Sequence, residues 1–340
     1  ELVDENIWEG TIAHELFHQW FGDYVTAESW SNLTLNESFA DYSQTLWFEY
    51  KYGKDEGDAE NYTGIRAYLQ GDNTKKDLVR FYYADREDMF DAVSYSKGGR
   101  ILHMLRNYLG DSAFFKGLNL YLTTNKFKPA EAHHLRLALE EVSGKDLNWY
   151  FNQWYFGEGY PTYSVQWNQS GNDVAIEISH TSSMQSVTPT FTNDIDLRFI
   201  RQGQADTIIR FNINSNTEQF SIYNIGTLTG SIGIDPKNWI INKVGSITED
   251  PSLQVGLVSA EVKAEMCVFP NPSNGEFTVQ NIPANARSFE LFDQAGRFIL
   301  GQKVTKEGLI RLNDLSDGTY IFSVVLTDGQ RSTSLIQIKN

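Results

Sequence analysis

Apolar residues recur with a helical period over the first 160 or so positions. Ile101, Met104, Leu105, Tyr108 and Leu109 fall at i, i+3, i+4, i+7 and i+8, and Gly110 stops the run. Asp111 is placed to cap the next helix, which carries Phe114, Leu118 and Leu122 on one face. Pro129 predicts the opening of another, with Leu135, Ala138, Leu139 and Val142 turned inward before Gly144. These stripes predict core packing and nothing further. After Gly159-Tyr160-Pro161 the period changes to two. Alternation predicts strands over Tyr163–Trp167, Val174–Ile178, Ile195–Ile200, Thr207–Ile213 and Trp239–Val244, with turns at Ser170-Gly171-Asn172 and Asp235-Pro236. A third segment starts near Met266. It alternates over Phe277–Val279, Phe289–Phe292, Tyr320–Val324 and Leu335–Ile338, with turns at Asp293-Gln294-Ala295-Gly296 and Ser316-Asp317-Gly318.

The pattern divides the chain into a helical part at residues 1–160, a β-sandwich at 161–248, a weakly patterned linker at 249–265 and a small all-β module at 266–340. The fold class is multidomain α plus β, a helical domain followed by two β-sandwiches. At 340 residues the chain has room for two or three such domains. It opens on Glu1-Leu2-Val3-Asp4 with no initiator methionine or signal segment, so it is expected to be the C-terminal portion of something longer.

Charge narrows the range of partners. Acidic side chains number 44 and basic ones 28, a net charge of -16, which repels phosphate backbones and argues against nucleic acid as a partner. No apolar run reaches the 18 or so residues of a membrane span. The single cysteine, Cys267, permits no intrachain disulfide.

The chemistry is concentrated near the start. His14-Glu15-Leu16-Phe17-His18 has the H-E-x-x-H spacing, and Ile7 to Phe21 is free of proline and followed by Gly22, so a helix is predicted there. Residues four apart share a helix face, so both imidazoles can reach one metal ion while Glu15 lies beside its open position. Asn36-Glu37-Ser38-Phe39-Ala40 follows near the start of a second helical stretch. Two histidines and one glutamate leave the fourth tetrahedral position to water, the arrangement of catalytic zinc. Thr34-x-x-Glu37 also has the spacing of a capping box, a purely structural role for the same glutamate. Asp41, one helical turn after Glu37, is a candidate carboxylate partner for the second ring nitrogen of His14.

His14 through Asp23, followed by Leu35-Asn36-Glu37-Ser38-Phe39-Ala40, resembles the aminopeptidase N (membrane alanyl aminopeptidase) family of gluzincin zinc metallopeptidases. That family usually has glycine where this chain has Ser38. Ser94-Tyr95-Ser96-Lys97-Gly98 is similar to the family's Tyr-x-Lys-Gly segment, and Trp154 through Gly159-Tyr160-Pro161 to the end of its catalytic domain. The resemblance covers roughly residues 1–165. It implies a thermolysin-like catalytic fold and one zinc ion on His14, His18 and Glu37, with Glu15 as general base and Tyr95 stabilising the transition state. The family's amine-recognition segment, Gly-x-Met-Glu-Asn, and the β-domain before it are not in this sequence, so removal of N-terminal residues is implied by resemblance alone. Phe269-Pro270-Asn271-Pro272-Ser273-Asn274-Gly275, Leu291 through Arg297 and Leu315 through Tyr320 resemble the type IX secretion sorting domain (Por secretion tail) of Bacteroidetes. This implies export by the type IX machinery to the medium or the cell surface.

The expected activity is hydrolysis of peptide or protein substrates by zinc-activated water. Two other readings compete with it: a thermolysin-like endopeptidase with the same ligand set, and a non-catalytic surface or adhesion protein with a vestigial site. His103, His133, His134 and His180 have no partner at ligand spacing, and none is assigned a function.

Overall fold

Within residues 9–154 of the computed structural model lie the helices α1 (Glu9–Phe17), α2 (Thr34–Tyr52), α3 (Lys54–Tyr68), α4 (Gly98–Leu109), α5 (Asp111–Asn125), α6 (Ala132–Ser143) and α7 (Asn148–Trp154), with the predicted stripes on α4, α5 and α6. The structure describes residues 8–256, 267–269, 271–280, 282, 286–294, 296–303, 309–312, 315–326 and 331–339. The opening Glu1–Asp4, Ile7, most of the expected linker (257–265), Met266, Pro270 and Ala295 lie outside the described residues. Two compact units divide the chain, Glu1–Ala260 and Glu261–Asn340.

In the first unit Ile101, Leu105, Phe114, Leu135 and Leu139 are fully buried, as their spacing requires. Gly110 and Gly144 end α4 and α6 at φ 79° and 67°, a backbone region that costs glycine nothing. Arg106 joins three helices: its guanidinium donates to both Glu49 oxygens at 2.7 and 2.9 Å and to both Asp111 oxygens at 2.8 and 2.9 Å. The Asp111 carboxylate is thus engaged by Arg106, and Gly110 occupies the cap position of α5.

Two helix boundaries differ from expectation. α1 ends at Phe17 rather than Phe21, because the next amides bond back over three residues, Gln19 N to Leu16 O at 3.2 Å and Trp20 N to Phe17 O at 3.0 Å. Pro129 does not open α6. It pairs with Thr26 in a two-stranded parallel sheet of β1 (Thr26–Ala27) and β2 (Pro129–Ala130), and the helix starts at Ala132 behind a cap built by Glu131 and His134.

The remainder of this unit is sheet. β3 (Pro161–Ser170) and β4 (Asp173–Ser182) form a hairpin whose turn places Gly171 at φ 62°. With β7 (Thr217–Ile222) and β9 (Lys243–Glu249) they form one four-stranded sheet, and β6 (Thr207–Ile213), β5 (Asn193–Arg201) and β8 (Leu228–Ile234) form a three-stranded one. Phe211 of β6 meets Phe220 of β7 at 4.9 Å between ring centroids, so the two sheets share apolar contacts. Trp239–Val244 is not a strand throughout, since β9 begins only at Lys243. The Asp235 carboxylate accepts the amides of Trp239 at 2.8 Å and Ile240 at 2.9 Å and the Asn242 side chain at 3.0 Å, curling the apolar residues around itself. Burial pushes that carboxyl up to about 7 against these bonds. β9 runs on to Glu249, the first residue of the expected linker.

In the second unit, β10 (Cys267–Phe269), β11 (Glu276–Gln280) and β14 (Leu309–Arg311) form one sheet. β13 (Phe298–Lys303), β12 (Ala286–Phe292), β15 (Gly318–Leu326) and β16 (Arg331–Ile338) form another. Phe277 and Val279 of the first sheet share a core with Phe289, Leu291, Phe322 and Val324 of the second. Among the described residues no helix is long and apolar enough to cross a membrane.

α5 and α6 approach closely only because position 117 is glycine. A Cβ there would stand 2.6 Å from Leu139 Cδ2 and 3.2 Å from Leu139 Cα. Gly117→Ala is therefore expected to lower stability by about 1–3 kcal/mol, the usual cost of overpacking. Urea unfolding of the two proteins checks this, and an unchanged midpoint contradicts it.

Candidate metal centre and active site

Side-chain contacts fix α1 against α2 in an antiparallel sense. Glu9 accepts from Trp47 Nε1 at 2.8 Å, Lys51 Nζ at 2.6 Å and Tyr52 Oη. Hydrogen bonds from Lys51 and Tyr52 hold its carboxyl down at about 2. One residue on, a Cβ at Gly10 would lie 2.9 Å from Gln44 Oε1, so the helices touch nearly backbone to side chain. At the far end His14 and His18 meet Glu37. Numbering thus rises along α1 as it falls along α2, and the H-E-x-x-H face of one helix is laid over the first turn of the other.

His14 Nε2 lies 3.4 Å and His18 Nε2 3.5 Å from the same oxygen, Glu37 Oε2. One ligand atom from each of the three side chains falls within 4.8 Å of the others. Donors about 2.0–2.1 Å from a tetrahedral zinc are about 3.3 Å apart, and the two nitrogen–oxygen distances are close to that. The tautomer fits as well. His18 Nδ1 is 3.1 Å from Phe21 O, and a carbonyl only accepts, so Nδ1 carries the hydrogen and leaves the Nε2 lone pair facing the cluster. Gly22 permits this turn at φ 150°, where a Cβ would come 2.9 Å from His18 O.

Burial alone would raise the Glu37 carboxyl, but where no cation lies between them the Nε2 atoms of His14 and His18 in protonated form donate to it, outweigh that effect and hold the group at about 2. The same bond to Glu37 raises His18 above its ordinary value against its own desolvation. Thr34 builds no capping box with Glu37. It lies inside the first turn of α2, with its hydroxyl 2.7 Å from Ser38 Oγ.

Tyr95 lies in a π-turn, Val93–Lys97, immediately before α4. Its ring stacks on His14 at 5.9 Å, and the Glu37 carboxylate acts on its hydroxyl. Desolvation first, then the Glu37 charge, raises the phenol above its ordinary value, so it stays a neutral hydrogen-bond donor at physiological pH. Glu15 is exposed on α1, and its charge acts on both His18 and Tyr95.

Asp41 is held elsewhere: its carboxylate accepts from Arg100 Nη2 at 3.1 Å. The group within hydrogen-bond distance of the second nitrogen of His14 is the Gln44 amide, with Nε2 at 3.5 Å from Nδ1, while Asp41 interacts with His14 through its charge. Gln44 is seven residues past Glu37, two helical turns along one face, and that spacing was the available signal. Of the histidines without assigned roles, His103 stacks on Trp239 at 4.1 Å and His180 Nε2 accepts the Phe191 amide at 3.0 Å, both packing roles.

Residues 3–154 match the family model described as the peptidase family M1 domain, and residues 267–339 match the secretion system C-terminal sorting domain. Aminopeptidase N of Lactococcus lactis subsp. lactis is 38% identical over 180 residues, 48% of this chain and 21% of that protein. The tricorn protease-interacting factor F2 of Thermoplasma acidophilum is 37% identical over 169 residues, 48% of this chain and 21% of that protein. Among solved structures, Legionella pneumophila aminopeptidase A in complex with aspartic acid superposes with a TM-score of 0.57 at 19% identity, covering 69% of this chain and 26% of that one. That likeness shows the fold. The chain spans about a fifth of the length of these curated relatives.

The tyrosine segment is anchored by a buried cation. Lys97, fully buried, donates to Gly157 O at 2.9 Å. Burial brings its amine down to about 7 from 10.5, with Asp77, Glu158 and Asp91 opposing and Arg80 reinforcing the fall. A lysine depressed in the folded state carries its proton mainly in the unfolded chain between those values. Stability should therefore rise with pH from about 7 to 10.5, by up to about 1.4 kcal/mol per unit. Lys97→Met should abolish that rise. Unfolding free energies across this range check it, and identical pH slopes in the two proteins contradict it.

Proposed function

We propose that this chain, which carries a peptidase family M1 domain followed by a secretion system C-terminal sorting domain, is an exported zinc aminopeptidase. The observation that supports the reading is the approach of His14 Nε2 and His18 Nε2 to one oxygen, Glu37 Oε2, within 3.5 Å. The names of the relatives supply the exopeptidase part of it, and the sorting domain supplies export to the medium or cell surface through the type IX machinery. We read residues 161–248 and 266–340 as β-sandwich domains joined by a linker at 249–265.

One zinc ion would be held by His14, His18 and Glu37. When bound it supplies Lewis acidity, acidifying water and polarising a substrate carbonyl. The protein groups carry the proton transfers and the orientation. Glu15, exposed beside the ligands, takes a proton on its carboxylate from the attacking water and returns it to the leaving amine. Tyr95, kept neutral by its surroundings, donates its phenolic hydrogen to the substrate carbonyl oxygen as negative charge gathers there. His18 is oriented by Phe21 O. Gln44 can do the same for His14 once its amide presents Oε1, a half-turn from the orientation seen, because a ligating Nε2 requires hydrogen on Nδ1.

Three variants separate these roles. Glu15→Gln should keep stoichiometric zinc and lose nearly all turnover, Tyr95→Phe should lower kcat by about 10²–10³ with zinc retained, and Glu37→Ala should lose the metal. Aminoacyl-anilide hydrolysis together with metal analysis reads all three. Full activity in Glu15→Gln removes the mechanism. Cleavage of N-blocked peptides in preference to anilides would make the protein an endopeptidase, and zinc binding without any hydrolysis would leave a vestigial site.

A further inference from the structure

The serine next to the proposed ligand Glu37 is buried, and it reaches the serine next to Tyr95. Ser38 Oγ donates to Ser94 O at 2.6 Å. Its other contact is Thr34 Oγ1 at 2.7 Å. Ser94 O only accepts, so the single Ser38 hydrogen points to it and Thr34 must donate to Ser38. The result is a directed chain, Thr34 O–H to Ser38 O–H to Ser94 C=O, running from α2 into the π-turn.

That turn is where the chain departs from α geometry. In an α-helix the Gly98 amide would bond Ser94 O, four residues back. Here it reaches Tyr95 O and Val93 O instead, and Ser38 supplies a donor to the carbonyl it bypasses. Space confirms the fit: a Cβ at Gly98 would overlap Ser38 Oγ, and one at Gly99 would overlap the Asp41 carboxylate. The glycine pair lets the π-turn and α4 settle on α2 closely enough for the hydroxyl to reach. The Asp91 side chain fixes the turn's start by accepting the Val93 and Ser94 amides at 3.0 and 3.2 Å. A π-bulge of this kind shifts every later side chain by about 100° relative to an unbroken helix, and such bulges recur at functional sites.

We propose that Ser38 is a positioning residue for Tyr95. Its hydroxyl holds the π-turn open by satisfying Ser94 O, and so sets the phenol over His14 and Glu37. The family that the sequence resembles usually has glycine at this position, so the device belongs to the serine of this chain. The proposal rests on the role given to Tyr95 above.

The test combines kinetics with a measurement that needs no activity. In Ser38→Ala, kcat should fall about ten-fold, the effect of one buried hydrogen bond, with KM and zinc content unchanged. Amide hydrogen exchange across residues 93–98 should quicken at least ten-fold while the rest of α2 keeps its protection. In a Tyr95→Phe background the same substitution should change kcat little, because both act through one group. Thr34→Val, which removes the outer donor and leaves Ser38 in place, should give a smaller change in the same direction. It also carries the test if Ser38→Ala does not fold. Wild-type exchange in both variants overturns the proposal, as does an equal loss of kcat with and without the Tyr95 hydroxyl. If the wild-type chain hydrolyses no anilide, the aminopeptidase reading falls while exchange still decides the positioning claim.

Discussion

The antiparallel contact between α1 and α2 is the constraint on which the site depends. Two imidazoles one turn apart on α1 are useful only if the opening turn of α2 places a carboxylate between them. Both ends of the contact secure that. At one end Glu9 gathers Trp47, Lys51 and Tyr52, and at the other Glu37 Oε2 gathers His14 and His18. Between them Gly10 removes the side chain that would hold the helices apart. Each helix is short or weakly apolar by itself, so their register is set by these polar contacts more than by a hydrophobic stripe.

A second layer is built on the same helix. Arg100 reaches Asp41 and Thr45 at 3.1 Å each, tying α4 to α2, and Arg106 ties α4 to Glu49 of α2 and to Asp111. α2 thus carries a proposed metal ligand, receives α1 on one side and holds the tyrosine segment on the other. A disturbance in its first turn would reach the proposed ligand, α1 and the Tyr95 phenol together. This accounts for the concentration of small residues and hydroxyls there, at Thr34, Ser38, Gly98 and Gly99, where close approach matters more than volume.

The sequence was most readable where one local period carries the chemistry. H-E-x-x-H puts two ring nitrogens on one face whatever the rest of the fold does, and the stripes of α4, α5 and α6 are buried except at their last positions, Tyr108, Leu109, Leu122 and Val142, which are half-buried. Glu37 needed the resemblance, because nothing local distinguishes a ligand from a capping glutamate. Three features were not legible, each for a physical reason. Asp41 was read as the hydrogen-bond partner of His14, but it accepts from Arg100, 59 positions away in sequence, and the Gln44 amide is the group at hydrogen-bond distance from the ring. Trp239-Ile240-Ile241 has the composition of a strand, yet the carboxylate of Asp235 wraps it into a loop. Strands Thr217–Ile222 and Leu228–Ile234 went unread because their residues, rich in serine, threonine and glycine, show too weak an alternation.

The central claim is that His14, His18 and Glu37 close on a single cation. X-ray absorption at the zinc edge of the zinc-loaded chain tests it most directly. The account predicts one equivalent of zinc with two imidazoles and oxygen ligands and no sulfur. Substoichiometric zinc, or a spectrum with fewer than two imidazoles, would contradict it.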